Sequence, residues 1–353
     1  MTLLSGGNRY ATLCNLLILV LLFALLLSLS WGRFYISPPD VLRTLCSVSD
    51  DPAQHGAIFN LRLRWCGVSD PIQHNVIFNL RLPRIGAALL VGMALAVAGT
   101  VFQGIFRNPL VSPDLLGVSS GACVGAALAI LLGCGVLLTQ GFAFAGGLLA
   151  VLVTMSIPQL MRRDSVIVLV LAGIIVSGFM MACLGLLKYL ADPETQLADI
   201  VYWQLGSLGK VDKHNLALLS PVILLTAAVL LAMRWRINVL SLGEREARLS
   251  GANIRLERNV MVACATLLTA SAVCLSGTIG WMGLVVPHLA RLLIGDNNLR
   301  TLPLAALLGA LFLLLVDTLA RNLYAQEIPL GILTGFIGAP CFAWVLIKQK
   351  VGE

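Results

Sequence analysis

At 353 residues the chain is long enough for two or three soluble domains, yet 58% of it is hydrophobic, 12% is charged and the mean hydropathy is +0.92. A soluble domain carries about 25% charged residues, so this chain cannot cover a water-facing surface, and most of its surface must meet lipid. The net charge of +7 then reads as membrane topology rather than as a nucleic-acid footprint.

A membrane-spanning helix needs roughly 20 apolar residues without charge. Charge-free intervals therefore mark the candidate spans, and the expected class is an all-α polytopic membrane protein. Arg9 to Arg33 encloses the first span, and Arg84 to Arg107 the second. Asp114 to Arg162 encloses 47 uncharged residues, enough for two spans broken around Gly133–Gly141. Asp164 to Lys188 and Lys213 to Arg234 give one each. Arg258 to Arg291 encloses 32 residues, too many for one helix. Ser276, Gly277 and Gly280 break it into a full span and a short one from Gly280 to about Ile294. Thr301 to Ala320, interrupted only by Asp317, and Glu327 to Lys348 complete a count of ten within a single transmembrane domain, residues 1–353.

Orientation follows from Lys and Arg. With the N-terminus inside, fourteen basic residues fall inside and ten outside, six of these the arginines from Arg33 to Arg84. Both termini are then cytoplasmic. The first span follows Arg9 and shows no A-x-A cleavage site, so it is expected to stay as an anchor rather than be removed as a signal peptide.

The loop 33–83 carries a tandem duplication. Asp51-Pro52-Ala53-Gln54-His55 and Ile58–Leu63 recur 19 residues later as Asp70-Pro71-Ile72-Gln73-His74 and Ile77–Leu82. Two copies of so short a unit do not make a solenoid, and surface loops tolerate such insertions. The second copy runs through Pro83-Arg84 into a span and is expected to be the structural one. One His per copy is too little for a metal site. The nine cysteines form no CxxC pair and no Cys/His ligand spacing, and cysteine in an apolar run acts as a small hydrophobe. No metal or cofactor is called for.

Several loops are more patterned than plain anchors. Arg81-Leu82-Pro83-Arg84 stands at an outer helix start. Gln103-Gly104-Ile105-Phe106-Arg107-Asn108-Pro109-Leu110 precedes Pro113 and Leu116-Gly117. Ser241-Leu242-Gly243-Glu244 precedes Ala247, Leu249 and Gly251. Gly280-Trp281-Met282-Gly283 leads to Val286-Pro287-His288. Asp317 and Arg321 precede Glu327-Ile328-Pro329-Leu330-Gly331 and Gly338-Ala339-Pro340.

The loop 234–258 is the longest one expected inside, and so the candidate surface for a partner on that side. Ser241 could cap a helix there, and Ala247 and Gly251, four apart, would let a partner come close; an ordinary amphipathic connector has the same features. Arg81, Arg84 and Arg321 at outer span ends suit bidentate carboxylate partners, or else snorkel to the interface. Asp317 lies inside a span, where a carboxylate is costly, and Arg321 is its i,i+4 partner. A structural ion pair is favoured over a substrate contact. His288 reads as a packing histidine rather than a ligand. The small residues at glycines 92, 99, 117, 121, 125, 173 and 178 read as helix-packing positions.

In order and spacing, the five patterned segments resemble the FecCD-type permeases of type II ABC importers, over about residues 18–348, with the extra 19 residues as the departure. That resemblance implies a bacterial inner-membrane permease for iron–siderophore complexes, haem, cobalamin or molybdate, with iron–siderophore the commonest cargo. It implies a homodimer or a pair of related permeases around a pore. It also implies two ATP-hydrolysing subunits below and a periplasmic substrate-binding protein above. Residues 241–244, Ala247, Leu249 and Gly251 would then couple to the ATPase. Arg81, Arg84 and Arg321 would receive glutamates of the binding protein. Gln103, Asn108, Pro109, Pro287, His288, Asp317 and Glu327 would belong to the translocation and structural motifs. Asp192-Pro193-Glu194 and Tyr202–Leu208 would form the outer helix and loop near the pore mouth. No G-x-x-x-x-G-K-[ST] occurs, so hydrolysis would fall to a separate subunit. The rivals are an ion-coupled secondary transporter, which needs coupling groups at midplane and usually an inverted repeat, and a membrane enzyme, against which four scattered histidines speak.

Overall fold

Long apolar runs satisfy their backbone polar groups internally as helices, the only open-chain structure that lipid permits. The computed structural model describes residues 3–46, 71–161, 166–243, 249, 251 and 253–351, and among these there are helices and no strands. The elements are α1 (Leu3–Ser30), α2 (Pro38–Cys46), α3 (Leu82–Phe106), α4 (Val118–Leu131), α5 (Val136–Leu160), α6 (Val166–Leu190) and α7 (Gln196–Leu205). There follow α8 (Lys213–Ala232), α9 (Arg234–Leu242), α10 (Ile254–Ser276), α11 (Met282–Ile294), α12 (Asn298–Asn322) and α13 (Leu330–Val351).

Seven described helical segments are long and apolar enough to cross a membrane, and three more, Val118–Leu131, Met282–Ile294 and Leu330–Val345, are apolar but shorter. The expected breaks fall at residues 132–135 and 277–281. Gly141 is inside α5 rather than in the break.

The helix that enters as α3 starts earlier than its charge pattern suggests. Pro71–Asn75 is helical and Val76–Arg81 is π-helical, so helix runs unbroken from Pro71 to Phe106. The expected loop 33–83 is therefore partly helical, at α2 and across the second repeat copy. The physical reason is local: Ile77 is fully buried, and the Leu82 N–H bonds back to Ile77 O in the wider π register. That change of register falls just before Pro83, which has no N–H to offer. The first repeat copy lies outside the described residues.

The centre of the bundle is α3, flanked by α10, α11 and α12. Its backbone approach to two neighbours explains its glycines. A Cβ at Gly92 would strike the backbone of Gly309 on α12, and one at Gly99 the backbone of Gly283 on α11. Gly121 on α4 meets Gly146 on α5 in the same way, whereas Gly178 has nothing within 4 Å. Close helix contact through small residues is the packing mode of membrane bundles.

Two short helices begin part-way through the bundle. Val118, the first residue of α4, lies against Gly147, and α5 runs on for about thirteen more residues, about 20 Å. Gly283 at the start of α11 meets Gly99 of α3, about seven residues or 10 Å short of the end of that helix.

Candidate functional site

Two sets of patterned residues lie at opposite ends of α3. The first is built on Arg84, in the opening turn of α3. Its Nε lies 2.8 Å from Asp317 Oδ1, and its Nη1 is 2.8 Å from each oxygen of Glu327. Asp317 is fully buried on α12, and its Oδ2 is 3.1 Å from Arg321 Nε one turn on. Arg321 Nη2 donates to Ser28 Oγ of α1 at 2.6 Å. The expected i,i+4 pair is thus present, and Arg84 and Glu327 enlarge it to two guanidiniums and two carboxylates drawn from α3, α12 and the segment before α13. Burial gives the reason: an uncompensated charge here would be costly.

Arg81, Arg84 and Arg321 are all buried, which corrects the expectation of guanidiniums free at an outer rim. Arg81 donates to the backbone carbonyls of Leu29, Ser30 and Phe34, and among the described residues it meets no carboxylate. The three arginines, with Arg33 and Glu327, line an open cleft of about 340 Å³. Four cations and one carboxylate bordering it leave a positive floor, suited to an acidic partner.

The second set lies around Arg107, whose left-handed backbone (φ 50°) ends α3. Gln103 Nε2 donates to Gly283 O at 3.3 Å, and its Oε1 accepts from Arg291 Nη1. Asn108 Oδ1 accepts the Leu110 N–H at 2.9 Å and closes the turn. His288, one residue after the buried Pro287, donates from Nε2 to Pro109 O at 2.8 Å, and its ring meets Phe342 edge-on with centroids 5.2 Å apart. It is 1% exposed, in keeping with the packing role.

Beside them runs α9, held by Ile237, which lies against Gly104 of α3. Asn238 donates to Asn297 Oδ1 at 2.8 Å and accepts the Asn298 N–H at 2.9 Å, which ties α9 to the start of α12. These asparagines were missed by motif reading, although Asn297 before an apolar run is an N-cap signal. The Ser241 hydroxyl donates back to Asn238 O at 2.7 Å in the last turn of α9, and the helix start it was expected to cap lies outside the described residues. The cap of α10 is Asn253, which accepts the Leu256 N–H at 3.2 Å. Gly243 takes φ 130° and Gly251 φ 73°, backbone that side chains resist. Leu242 and Leu249 are 65% and 83% exposed. Glu244 and Ala247 lie outside the described residues.

Residues 19–348 match the FecCD transport family. The chain belongs to that family. The FecCD assignment makes it the multi-pass permease of an ABC importer. It is 40% identical over 342 residues to the molybdate import system permease protein MolB of Haemophilus influenzae, covering 95% of each chain. It is 39% identical over 353 residues to the hemin transport system permease protein HmuU of Yersinia pestis, covering 98% of each. Other FecCD relatives are named for iron chelatin and for cobalamin or vitamin B12. A solved structure assigned as a metal-chelate type ABC transporter, inward-facing, superposes with a TM-score of 0.82 at 37% identity, covering 96% of this chain and 99% of that one.

Proposed function

We propose that this chain is the permease subunit of a type II importer that carries an iron(III)–siderophore chelate across the bacterial inner membrane. In this reading it has ten spans, both termini are cytoplasmic and the Arg84 end of α3 faces outward. The observation that carries it is 40% and 39% identity over nearly the full length to named importer permeases, with 41% identity over 271 residues to a relative named for iron chelatin. Two copies, or two related permeases, enclose the path. The positive cleft at Arg81, Arg84 and Arg321 receives glutamates of a periplasmic binding protein. Leu242, Gly243 and Leu249 in the segment 234–258, with Ser241, Glu244, Ala247 and Gly251, meet an ATPase on each permease. ATP is hydrolysed there, since the sequence holds no phosphate-cradling P-loop.

The lower charge of the Lys/Arg count on the Arg84 side supports this orientation. A second reading, molybdate as cargo, is favoured by the relative at 40% identity. Co-expression with the cognate ATPase and binding protein tests the reading. Gly243→Trp should leave the protein inserted, let the ATPase turn over, and abolish uptake, because bulk at a close docking point separates the two motions. Normal uptake in that variant contradicts the assignment of the coupling segment.

A further inference from the structure

Non-helical backbone at membrane depth is tolerated only where it is buried in protein or lines a water-filled cavity. Three chain breaks meet in this bundle: the turn before α4, the end of α7, and the extended stretch between α10 and α11 that leads into the start of α11. Part of their backbone is paired. Ser207 N–H bonds to Ser276 O at 2.7 Å, and Thr278 Oγ1 donates to Gln204 O at 2.6 Å. What remains open is a cleft of about 280 Å³, bordered by Asp114, Ser119, Ser120, Ser177, Gln204 and Thr278. Ser177 lies midway along the 25-residue α6, so the cleft sits near the middle of the membrane thickness.

Its groups are not all committed. Ser119 donates to Asp114 Oδ1, and the exposed Asp114 has no other side-chain partner among the described residues. The Ser177 hydroxyl is buried and unpartnered. Lys188 donates to the Gln204 side-chain oxygen at 2.5 Å but does not border the cleft, and among the described residues no other Lys or Arg does. The α4 N-terminus, whose dipole would favour an anion, already has Asp114 beside it. A bare oxyanion entering here would meet a carboxylate, in surroundings of low dielectric, with no bordering cation to offset it.

We propose that this cleft is a mid-membrane subsite on the cargo path that takes a neutral or cationic polar chelate and disfavours a bare oxyanion such as molybdate. The inference rests on the permease reading above and narrows its cargo class. It makes Asp114 a specificity-determining residue and the surrounding hydroxyls a hydrogen-bonding wall.

The test uses the full chain with its ATPase and binding protein in proteoliposomes. Ser120→Cys is treated with a trimethylammonium methanethiosulfonate and, separately, with a sulfonate one. Labelling is read peptide by peptide by mass spectrometry, so the native cysteines stay in place. Both reagents should reach the introduced thiol. Their cation-to-anion rate ratio, normalised to a free thiol, should fall about tenfold when Asp114→Asn is added. Ser177→Cys supplies a second reporter should Ser120→Cys not assemble. No labelling at either position, or a ratio that Asp114→Asn leaves unchanged, overturns the inference. Uptake by the parent chain is the separate arm. Failure to carry either a labelled ferric chelate or molybdate, with charge-selective labelling intact, would sink the permease reading alone. Molybdate carried faster than the chelate, and no faster still in Asp114→Asn, would overturn the subsite.

Discussion

At its Arg84 end α3 is held by full charges, and at its Arg107 end by amides, an imidazole and one guanidinium. Arg84 shares Asp317 with Arg321 and grips both oxygens of Glu327 with its Nη1. Gln103, His288 and Asn238 make neutral or singly charged hydrogen bonds to backbone and side chains of α11 and α12 and to the turn after α3. The difference teaches where the bundle can move. A buried ionic group cannot lose one member without stranding another, so the Arg84 end behaves as a rigid clamp. Neutral hydrogen bonds exchange at about 1 kcal/mol each, so the Arg107 end can shift its contacts at lower cost.

The largest expected effect breaks the clamp. Asp317→Ala leaves two buried guanidiniums short of their carboxylate and should destabilise the protein by about 3–5 kcal/mol, read as thermal unfolding of the purified protein in detergent. Replacing Arg84, Asp317 and Arg321 together with leucine should recover much of that loss. A cost for Asp317→Ala below about 1 kcal/mol, the range of surface pairs, would remove the distinction between the two ends.

Gln103→Ala probes the other end. It frees Arg291 Nη1 and the Gly283 carbonyl from Gln103 and should cost about 1–2 kcal/mol, clearly less than Asp317→Ala under the same melt. Equal costs would mean that both ends are clamps.

The smallest effect lies outside the bundle, at the start of α7. Asp192 accepts from the Glu194 and Thr195 N–H groups and from the Thr195 hydroxyl. The Thr195 hydroxyl and these backbone donors hold its carboxyl below the usual carboxylate range. A depressed carboxylate contributes order above its unfolded pKa and loses it as pH falls through the lower, folded value. Amide exchange at Glu194 and Thr195 should therefore speed up only on acidification below the ordinary Asp range, and Asp192→Ala should show the faster exchange at neutral pH. Exchange that does not respond to either change would show that these bonds do not order the turn.

Much of this was legible in the chain. The apolar runs, the breaks at residues 132–135 and 277–281 and the Asp317–Arg321 pair all follow from local spacing. Arg84 as the third member did not, because the contact spans 233 residues and nothing in local spacing joins two helix ends. The bond from Ser241 back into α9 was not legible, because a serine near a helix end can accept from the next helix or donate back into its own, and the pattern is the same for both. The early start of α3 was hidden by charge counting: Arg81 is buried and its cost is met by carbonyls of α1 and the segment after it, so the charge did not mark the end of the helix. The midplane cleft was hidden for the same reason as the clamp, since its borders come from four separate parts of the chain.

The most direct measurement is accumulation of a labelled ferric chelate in proteoliposomes holding this chain, its ATPase and its binding protein. The account predicts uptake that requires ATP and the binding protein and is lost in Gly243→Trp. It also predicts loss when Arg81 and Arg84 are both changed to Glu, because the buried ionic group would be broken and an acidic partner repelled. Uptake driven by an ion gradient with the ATPase absent would contradict it, and would return the chain to the class of secondary transporters.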